Sequence, residues 1–239
     1  MALMLGASLD ANAFRIAVFG DNATDNYLAS IGNTVTLVTD AQLATAGFLN
    51  SFDLVWITRD GSNFGAGLSA AAAARVVAYV GGASVVLLSG DFADGVSTDS
   101  YIQTLFSNAA NVAGRSGHGY VGEFNGAAMA LTANGDGFTP LGLISGIAGA
   151  LLGSNGGAMG TIVLTPGGLT SPVTAGLANN FNPASVEFGP TITGVANQYI
   201  LANYSGGGSP AIIAQIPEPA TLALVGLGLA GLGFSRRKR

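Results

Sequence analysis

The sequence predicts an α/β fold: a three-layer, mainly parallel sheet covered by helices, with a single hydrophobic helix added at the C-terminal end. Two observations lead to this prediction. In the first half of the chain, four short apolar runs rich in β-branched residues alternate with stretches of helical character. This alternation is typical of parallel sheets with right-handed crossovers. Near the C-terminus, an uncharged run followed by four cations predicts the added helix.

The four predicted strands are almost continuously apolar, and each is followed by a turn that contains aspartate or glycine. They span residues 15–20, 34–39, 53–58 and 84–89. A strand that lacks alternation between apolar and polar residues is usually buried on both faces. We therefore expect all four strands to be buried within the sheet.

Four helices are predicted around these strands. They span residues 24–31, 41–49, 69–80 and 98–110. The third is rich in alanine and is stopped by a pair of glycines, as helix C-termini often are. Ser97 or Thr98 is the expected N-cap of the fourth helix, because a hydroxyl there can accept a hydrogen bond from the first turn.

The second half of the chain carries weaker signals. Residues 141–152 are apolar enough for a helix, although three glycines weaken it. Residues 161–165 read as a strand that ends before a proline. Residues 199–204 and 211–215 flank a turn at 205–210 that is rich in glycine and serine, which predicts a terminal hairpin.

Part of the body resembles a known group of domains. A helix is followed by Tyr79-Val-Gly-Gly, and the next strand ends in a Ser-Gly turn. This order resembles the flavodoxin-like, class I glutamine-amidotransferase-like group, and residues 171–177 are similar to a late segment of its ThuA-like members. The resemblance implies a flavodoxin-like fold. Catalytic amidotransferases carry a cysteine on the turn after such a strand, whereas this turn carries Gly90-Asp91 and the chain has no cysteine, so we exclude that chemistry.

Carboxylates follow the predicted strands. Ligands in open parallel sheets bind outside the carboxyl ends of the strands, and Asp21, Asp40, Asp60 and Asp91 follow the four strands in turn. With a strand order of 2-1-3-4, the first, third and fourth of these would line one rim and hold Ca²⁺ or Mg²⁺ through carboxylate oxygens. The alternative is that each aspartate caps a turn or a helix.

A second group of candidate residues is centred on His118. This is the single histidine of the chain, and histidine is the side chain whose ordinary titration falls nearest neutral pH. Glycines on both sides predict that it is exposed on a turn. Glu123 would orient it if the following loop folds back, and Asp91 is a further catalytic candidate. Ser89 and Ser116 are possible nucleophiles, although Ser89-Gly90-Asp91 does not have the spacing of a nucleophile elbow.

Composition excludes several functional classes. The chain has no cysteine and one histidine, which excludes disulfides, thiolate chemistry and multi-histidine metal sites. Between residues 14 and 216, four arginines stand against eleven carboxylates. A body so poor in cations has no basic patch to neutralise phosphates, so we expect no nucleic-acid partner. No cofactor is expected.

The N-terminal residues have features of an export signal. Residues 1–13 are mostly apolar and end in Ala11-Asn12-Ala13, which fits the small-x-small pattern at signal-peptide cleavage sites. The segment is short and lacks a basic region, so we interpret it as a truncated signal peptide. The alternative is a disordered N-terminal extension.

The tail has three parts in a fixed order. Pro217-Glu218-Pro219 comes first, an apolar run begins at Ala220 and ends at Phe234, and a basic cluster follows: Arg236, Arg237, Lys238 and Arg239. Prolines cannot continue a helix, so the triplet is predicted to be extended and accessible. As a helix the apolar run is roughly 23 Å long, against a bilayer core of about 30 Å. The cations would stay in the cytoplasm.

This order resembles the PEP-CTERM sorting signal of exported Gram-negative proteins. The resemblance implies that an exosortase, a membrane-embedded transpeptidase-like enzyme, recognises and cuts the tail, which is held transiently in the inner membrane. The family is associated with biofilm-forming, exopolysaccharide-producing species, so an exopolysaccharide is a further expected partner. Because the apolar run is short for a permanent anchor, we expect cleavage near Pro217 and Pro219.

The predicted organisation has three parts. Residues 1–13 form the signal peptide, residues 14–215 an extracytoplasmic α/β domain, and residues 216–239 the sorting and anchor segment. The expected product is a cell-envelope or extracellular-matrix protein whose body is a non-catalytic structural or binding module. The alternative is an extracellular hydrolase or carbohydrate-active enzyme that uses the carboxylate rim with His118.

Overall fold

The computed structural model of the chain describes residues 13–20, 22–58, 68–131, 147, 149–156, 160–183, 188–206 and 208–217. The first half of the described chain alternates between strands and helices. Its elements are β1 (Arg15–Phe19), α1 (Asn22–Ser30), β2 (Thr34–Leu37), α2 (Asp40–Ala44), β3 (Leu54–Ile57), α3 (Ala70–Val80), β4 (Val85–Leu88), α4 (Ser100–Arg115), β5 (Gly119–Glu123) and α5 (Asn125–Met129). The remaining elements are strands: β6 (Ala150–Gly156), β7 (Ile162–Leu164), β8 (Asn180–Phe181), β9 (Phe188–Thr193), β10 (Ile200–Tyr204) and β11 (Pro210–Gln215).

Nine of these strands form one mixed sheet in the order β2-β1-β3-β5-β4-β11-β10-β7-β8. The first five strands are parallel to one another, and the last four continue the sheet in antiparallel pairs. β6 and β9 form a separate antiparallel ribbon. The predicted mixture of strands and helices is therefore confirmed, and the sheet is parallel in only one of its halves.

Helices pack on both faces of the parallel half. Side chains alternate along β1, so Ala17 joins the core under α2 and α3, whereas Ile16 and Val18 join the core under α1 and α4. The second core contains Trp56, whose ring centroid lies 4.9 Å from that of Phe106 in α4. Burial of β-branched and aromatic side chains on both faces is what the unbroken apolar runs require.

The strand order corrects the predicted order 2-1-3-4. β5 is inserted between β3 and β4, pairing Trp56 with Val121 on one side and Leu88 with Glu123 on the other. The sequence does not predict this strand, because Gly119 and Gly122 interrupt its apolar pattern. Both glycines are needed for packing, since a Cβ on Gly119 would collide with the Ala113 carbonyl and one on Gly122 would lie 2.5 Å from the Gly126 oxygen.

Other boundaries also differ from the predictions. β2 lies at the edge of the sheet and its side chains are largely exposed, so it is not buried on both faces. The N-cap of α4 is Asp99, whose carboxylate accepts hydrogen bonds from the amides of Tyr101 and Ile102 at 2.8 and 3.2 Å. Residues 150–152 belong to β6, which contradicts the helix predicted over 141–152 at its C-terminal end.

The predicted terminal hairpin is confirmed. β10 and β11 are antiparallel and joined by a short turn, and β11 also pairs with β4. Among the residues that the structure describes, no helix is long and apolar enough to cross a membrane. The hydrophobic helix predicted between Ala220 and Phe234 lies outside the described residues, and so do residues 1–12 of the signal segment, which include Ala11.

Candidate functional site

The candidate residues lie at the two opposite edges of the parallel half of the sheet. The carboxyl edge is where β1, β3, β4 and β5 end, and it holds Ser89, Asp91 and Glu123. The amino edge is where these strands begin, and it holds His118, Ser116 and Tyr79. The groups proposed to act together in a hydrolytic site are therefore split between the edges.

At the amino edge, His118 lies on the turn that leads into β5. It is exposed and has a positive φ of 87°, which a non-glycine residue adopts only when its surroundings require it. Its ring centroid is 4.7 Å from that of Tyr79, and its amide donates to the Asp53 carbonyl oxygen at 2.8 Å. Packing and backbone hydrogen bonding therefore hold the imidazole at the surface.

An ion pair lies beside this histidine. Arg15 donates to the Asp53 carboxylate through Nη2 at 3.0 Å and Nε at 3.3 Å, and its backbone amide donates at 2.8 Å. The hydrogen bond from the Arg15 side chain holds the pKa of Asp53 below its usual range. Burial raises the pKa of the Tyr79 hydroxyl far above its usual range, and this group donates to the Phe52 carbonyl at 3.1 Å.

Glu123 does not orient His118. It is the last residue of β5 and is fully buried, whereas His118 precedes the first residue of that strand. At about 3.3 Å per strand residue, the two are separated by roughly 16 Å. The Oε1 atom of Glu123 accepts a hydrogen bond from the amide of Ala93, so this carboxylate binds the loop after β4 at the carboxyl edge.

The two candidate serine nucleophiles have structural hydrogen bonds. The Ser89 hydroxyl is fully buried and donates to the Pro210 carbonyl at 2.7 Å, which joins β4 to β11. The Ser116 hydroxyl donates to the Ala113 carbonyl at 2.6 Å and accepts from the Ser84 amide at 3.1 Å. It therefore closes the C-terminus of α4. Within the part of the chain that the structure describes, the hydrogen-bond partners of both hydroxyls are backbone groups.

The predicted metal site depended on the strand order 2-1-3-4. Asp91 follows β4, which β5 separates from β3, and its side chain is buried. Asp40 accepts a hydrogen bond from the Ser69 amide at 2.8 Å, so it connects the starts of α2 and α3. Asp21 and Asp60 lie outside the described residues. Within the described residues, no group of three potential metal ligands lies close together. The metal site remains a prediction.

A strained turn connects β5 to α5 at the carboxyl edge. Phe124 has φ 49° and ψ −114°, a combination found almost only at glycine in tight turns. The turn runs Gly122-Glu123-Phe124-Asn125-Gly126. A sharp strand-to-helix turn of the form G-x-S-x-G, with the central residue strained, is the nucleophile elbow of many hydrolases. The chain therefore has the backbone of an elbow with a phenylalanine at its centre.

Close packing requires both glycines of this elbow. A Cβ on Gly126 would collide with the carbonyl oxygen of Ile57, and one on Gly122 would contact the Gly126 oxygen. The Gly126 amide donates to the Thr58 carbonyl at 3.1 Å, and the Tyr120 hydroxyl donates to the Gly126 carbonyl at 2.6 Å. The elbow considered from the sequence follows β4, whereas the G-x-F-x-G spacing of residues 122–126 is the sequence signal that marks this one.

The tail leaves the body at the opposite, amino edge. Because β11 is antiparallel to β4, its last residue, Gln215, pairs with Val85 at the start of β4. The next two residues, 216–217, are exposed and line a cleft of about 790 Å³ together with residues 81–84 and 115–118. We call this surface the tail-side cleft. It is open to the solvent, and Tyr79, Arg115 and His118 are the titratable residues that line it.

Residues 215–238 match the family model of the PEP-CTERM protein-sorting motif. The match begins at the last residue of β11 and includes the Pro217-Glu218-Pro219 triplet, the apolar run and three residues of the basic cluster. No curated protein and no solved structure matches the chain. The resemblance of the tail is therefore confirmed, whereas the resemblance of the body to flavodoxin-like and ThuA-like domains remains a prediction.

The motif carries a functional meaning of its own. A PEP-CTERM motif implies an exported protein that is processed at its C-terminus by an exosortase in the membrane. The structure adds where the triplet lies relative to the body: Pro217 is only two residues beyond the sheet. The triplet therefore starts at the surface of the folded body.

Proposed function

We propose that this chain is a cell-envelope or extracellular-matrix protein of a Gram-negative bacterium, with a body that is a non-catalytic structural or binding module. An N-terminal signal in residues 1–13 directs export, and an exosortase cuts near Pro217 and Pro219. The processed domain of residues 14–215 then works at the cell surface or outside the cell, in a matrix that contains exopolysaccharide. The observation that carries the proposal is the sorting motif matched at residues 215–238.

The non-catalytic role of the body is supported by the residues at its two edges. The elbow between β5 and α5 has Phe124 where a nucleophile would stand, and this side chain is 3% exposed. A phenyl ring has no group that can attack a carbonyl or glycosidic carbon. His118 and Glu123 lie at opposite ends of β5, so the alternative of a hydrolase built on His118 and the carboxylate rim gains no support from the geometry.

The sorting proposal is tested by changing the triplet in the full chain expressed in an exosortase-containing host. We expect wild-type protein to be released with a C-terminus near residues 217–219, as measured by mass spectrometry of secreted material. The double substitution Pro217→Ala/Glu218→Ala should accumulate as a membrane-bound precursor. A matched control is Gly206→Ala, in an exposed turn where a Cβ meets no atom within 4 Å.

Two results would contradict the proposal. If the double variant is sorted and cut as the wild type is, the triplet is not the processing signal. If secreted wild-type protein retains residues 220–239, the tail is not removed. The mature N-terminus from the same spectra tests the signal segment, because cleavage after Ala13 predicts a chain that begins at Phe14.

A further inference from the structure

The two edges of the sheet differ in charge. Among the described residues, six carboxylates lie at or next to the carboxyl edge: Asp25, Asp40, Asp91, Asp94, Asp99 and Glu123. The amino edge carries Arg15, Arg115 and His118, with Asp53 as its one described carboxylate, already paired with Arg15. The body is acidic in total, yet its described cationic groups, apart from Arg75 in α3, are gathered on the edge from which the tail leaves.

The tail holds this edge close to the membrane in the precursor. Residues 216–219 are the link between the end of β11 and the apolar run at Ala220. Even fully extended, the chain from Gln215 to Ala220 spans at most about 18 Å. Two of the four linking residues are prolines, which limit the conformations of the link. The tail-side cleft therefore lies within one short linker of the headgroups whenever the apolar run is in the bilayer.

We propose that the tail-side cleft docks on the anionic lipid headgroups of the membrane before processing, with Arg115 as its principal contact and His118 beside it. This inference rests on the proposed function, because it requires the tail to be in the membrane. Arg115 is exposed, and no carboxylate of the described residues forms an ion pair with it. A guanidinium free to meet a lipid phosphate makes two parallel hydrogen bonds with it.

Docking in this orientation has a consequence for processing. It stands the sheet upright on the membrane, with the acidic carboxyl edge facing away from the anionic surface. Pro217 lines the cleft itself, so the docked body holds the start of the triplet at headgroup level. A membrane-embedded enzyme then meets its cleavage site at one fixed height and from one side of the body.

The test uses the absence of cysteine in the chain to introduce single labels. Full chain carrying Gly82→Cys or Ser97→Cys is labelled with a thiol-reactive fluorophore and reconstituted into vesicles of phosphatidylglycerol and phosphatidylcholine. A nitroxide on some headgroups quenches fluorophores at that depth. Gly82 lines the cleft and has open space for a side chain, whereas Ser97 is exposed near the carboxyl edge. We expect strong quenching at position 82 and little at position 97.

Tethering alone brings position 82 nearer to the membrane, so the deciding comparison is between charge variants of the Gly82→Cys chain. Arg115→Gln should shift the equilibrium from docked to undocked by roughly fivefold, the effect of one cation at an anionic surface. Arg75→Gln removes the same charge from the exposed side of α3 and should leave the quenching unchanged. Vesicles of phosphatidylcholine alone should behave as Arg115→Gln does.

The outcomes separate the two proposals. If the labelled full chain does not float with the vesicles, the membrane anchoring in the proposed function is wrong. Two results would overturn the docking proposal while anchoring stands. One is that the chain floats but the label at position 82 is quenched equally in the Arg115→Gln and Arg75→Gln variants. The other is that the label at position 97 is quenched as strongly as the label at position 82.

Discussion

The strained elbow at Phe124 predicts that glycine is better tolerated there than alanine. At most buried positions alanine is the better replacement, because glycine costs about 0.5–1 kcal/mol more through backbone entropy. At φ 49° and ψ −114° the order should reverse, since a Cβ at positive φ costs about 1–2 kcal/mol that glycine avoids. Both variants lose the buried ring, which costs about 3–5 kcal/mol for a phenylalanine.

The matched control is Phe92, which is also buried but has an ordinary φ of −76°. We expect Phe92→Gly to be less stable than Phe92→Ala by about 0.5–1 kcal/mol, and Phe124→Gly to be more stable than Phe124→Ala by about 1 kcal/mol. Urea unfolding of the full chain in mild detergent, followed through the buried Trp56 and by circular dichroism, measures each free energy. If glycine is the poorer replacement at both positions, the turn is not strained and the elbow assignment fails.

Two further predictions concern single contacts. Asp99→Ala should destabilise the chain by about 1 kcal/mol in the same urea assay, because it removes the cap that accepts from Tyr101 and Ile102; the neighbouring Ser97→Ala should have almost no effect, and equal losses would refute Asp99 as the cap. Asp53→Asn should make the free energy of unfolding fall less steeply as the pH is lowered. The pKa of Asp53 is lower in the folded chain than its unfolded value of about 4. The ionised carboxylate therefore stabilises the fold above the unfolded pKa, and this contribution is lost as the pH falls through the folded pKa. Urea midpoints across that range test this, and identical pH profiles for variant and wild type would contradict it.

The strands and helices of the first half could be predicted because local pattern and tertiary environment agree there. An unbroken apolar run such as Leu54–Ile57 is buried on both faces, and the alanine-rich α3 begins at its Ser69 cap and ends at glycine. β5 could not be predicted from the sequence, because Gly119 and Gly122 are required there for close packing against Ala113 and Gly126. That requirement comes from residues distant in space and leaves no apolar period in the sequence.

The candidate site was predicted in a similarly uneven way. The tail could be recognised because its three parts are contiguous and each has a direct physical meaning in a membrane. The pairing of His118 with Glu123 depended on a loop that would fold back, and a strand between them keeps them apart. The elbow was missed because the residue at its centre, Phe124, has no reactive group, so only the spacing of Gly122 and Gly126 marks the turn in the sequence.

The position of β11 in the sheet makes completion of the sheet depend on the segment that directly precedes the sorting motif. Among the strands that the structure describes, β11 is the last in the sequence, yet it is an interior strand between β4 and β10. The Ser89 hydroxyl donates to the Pro210 carbonyl across 121 residues. As the chain crosses the membrane amino end first, β4 and β10 each have one side without a neighbouring strand until residue 215 has crossed. Open edges invite pairing with other chains. The sheet can therefore be completed only when the residues next to the sorting motif are available to pair.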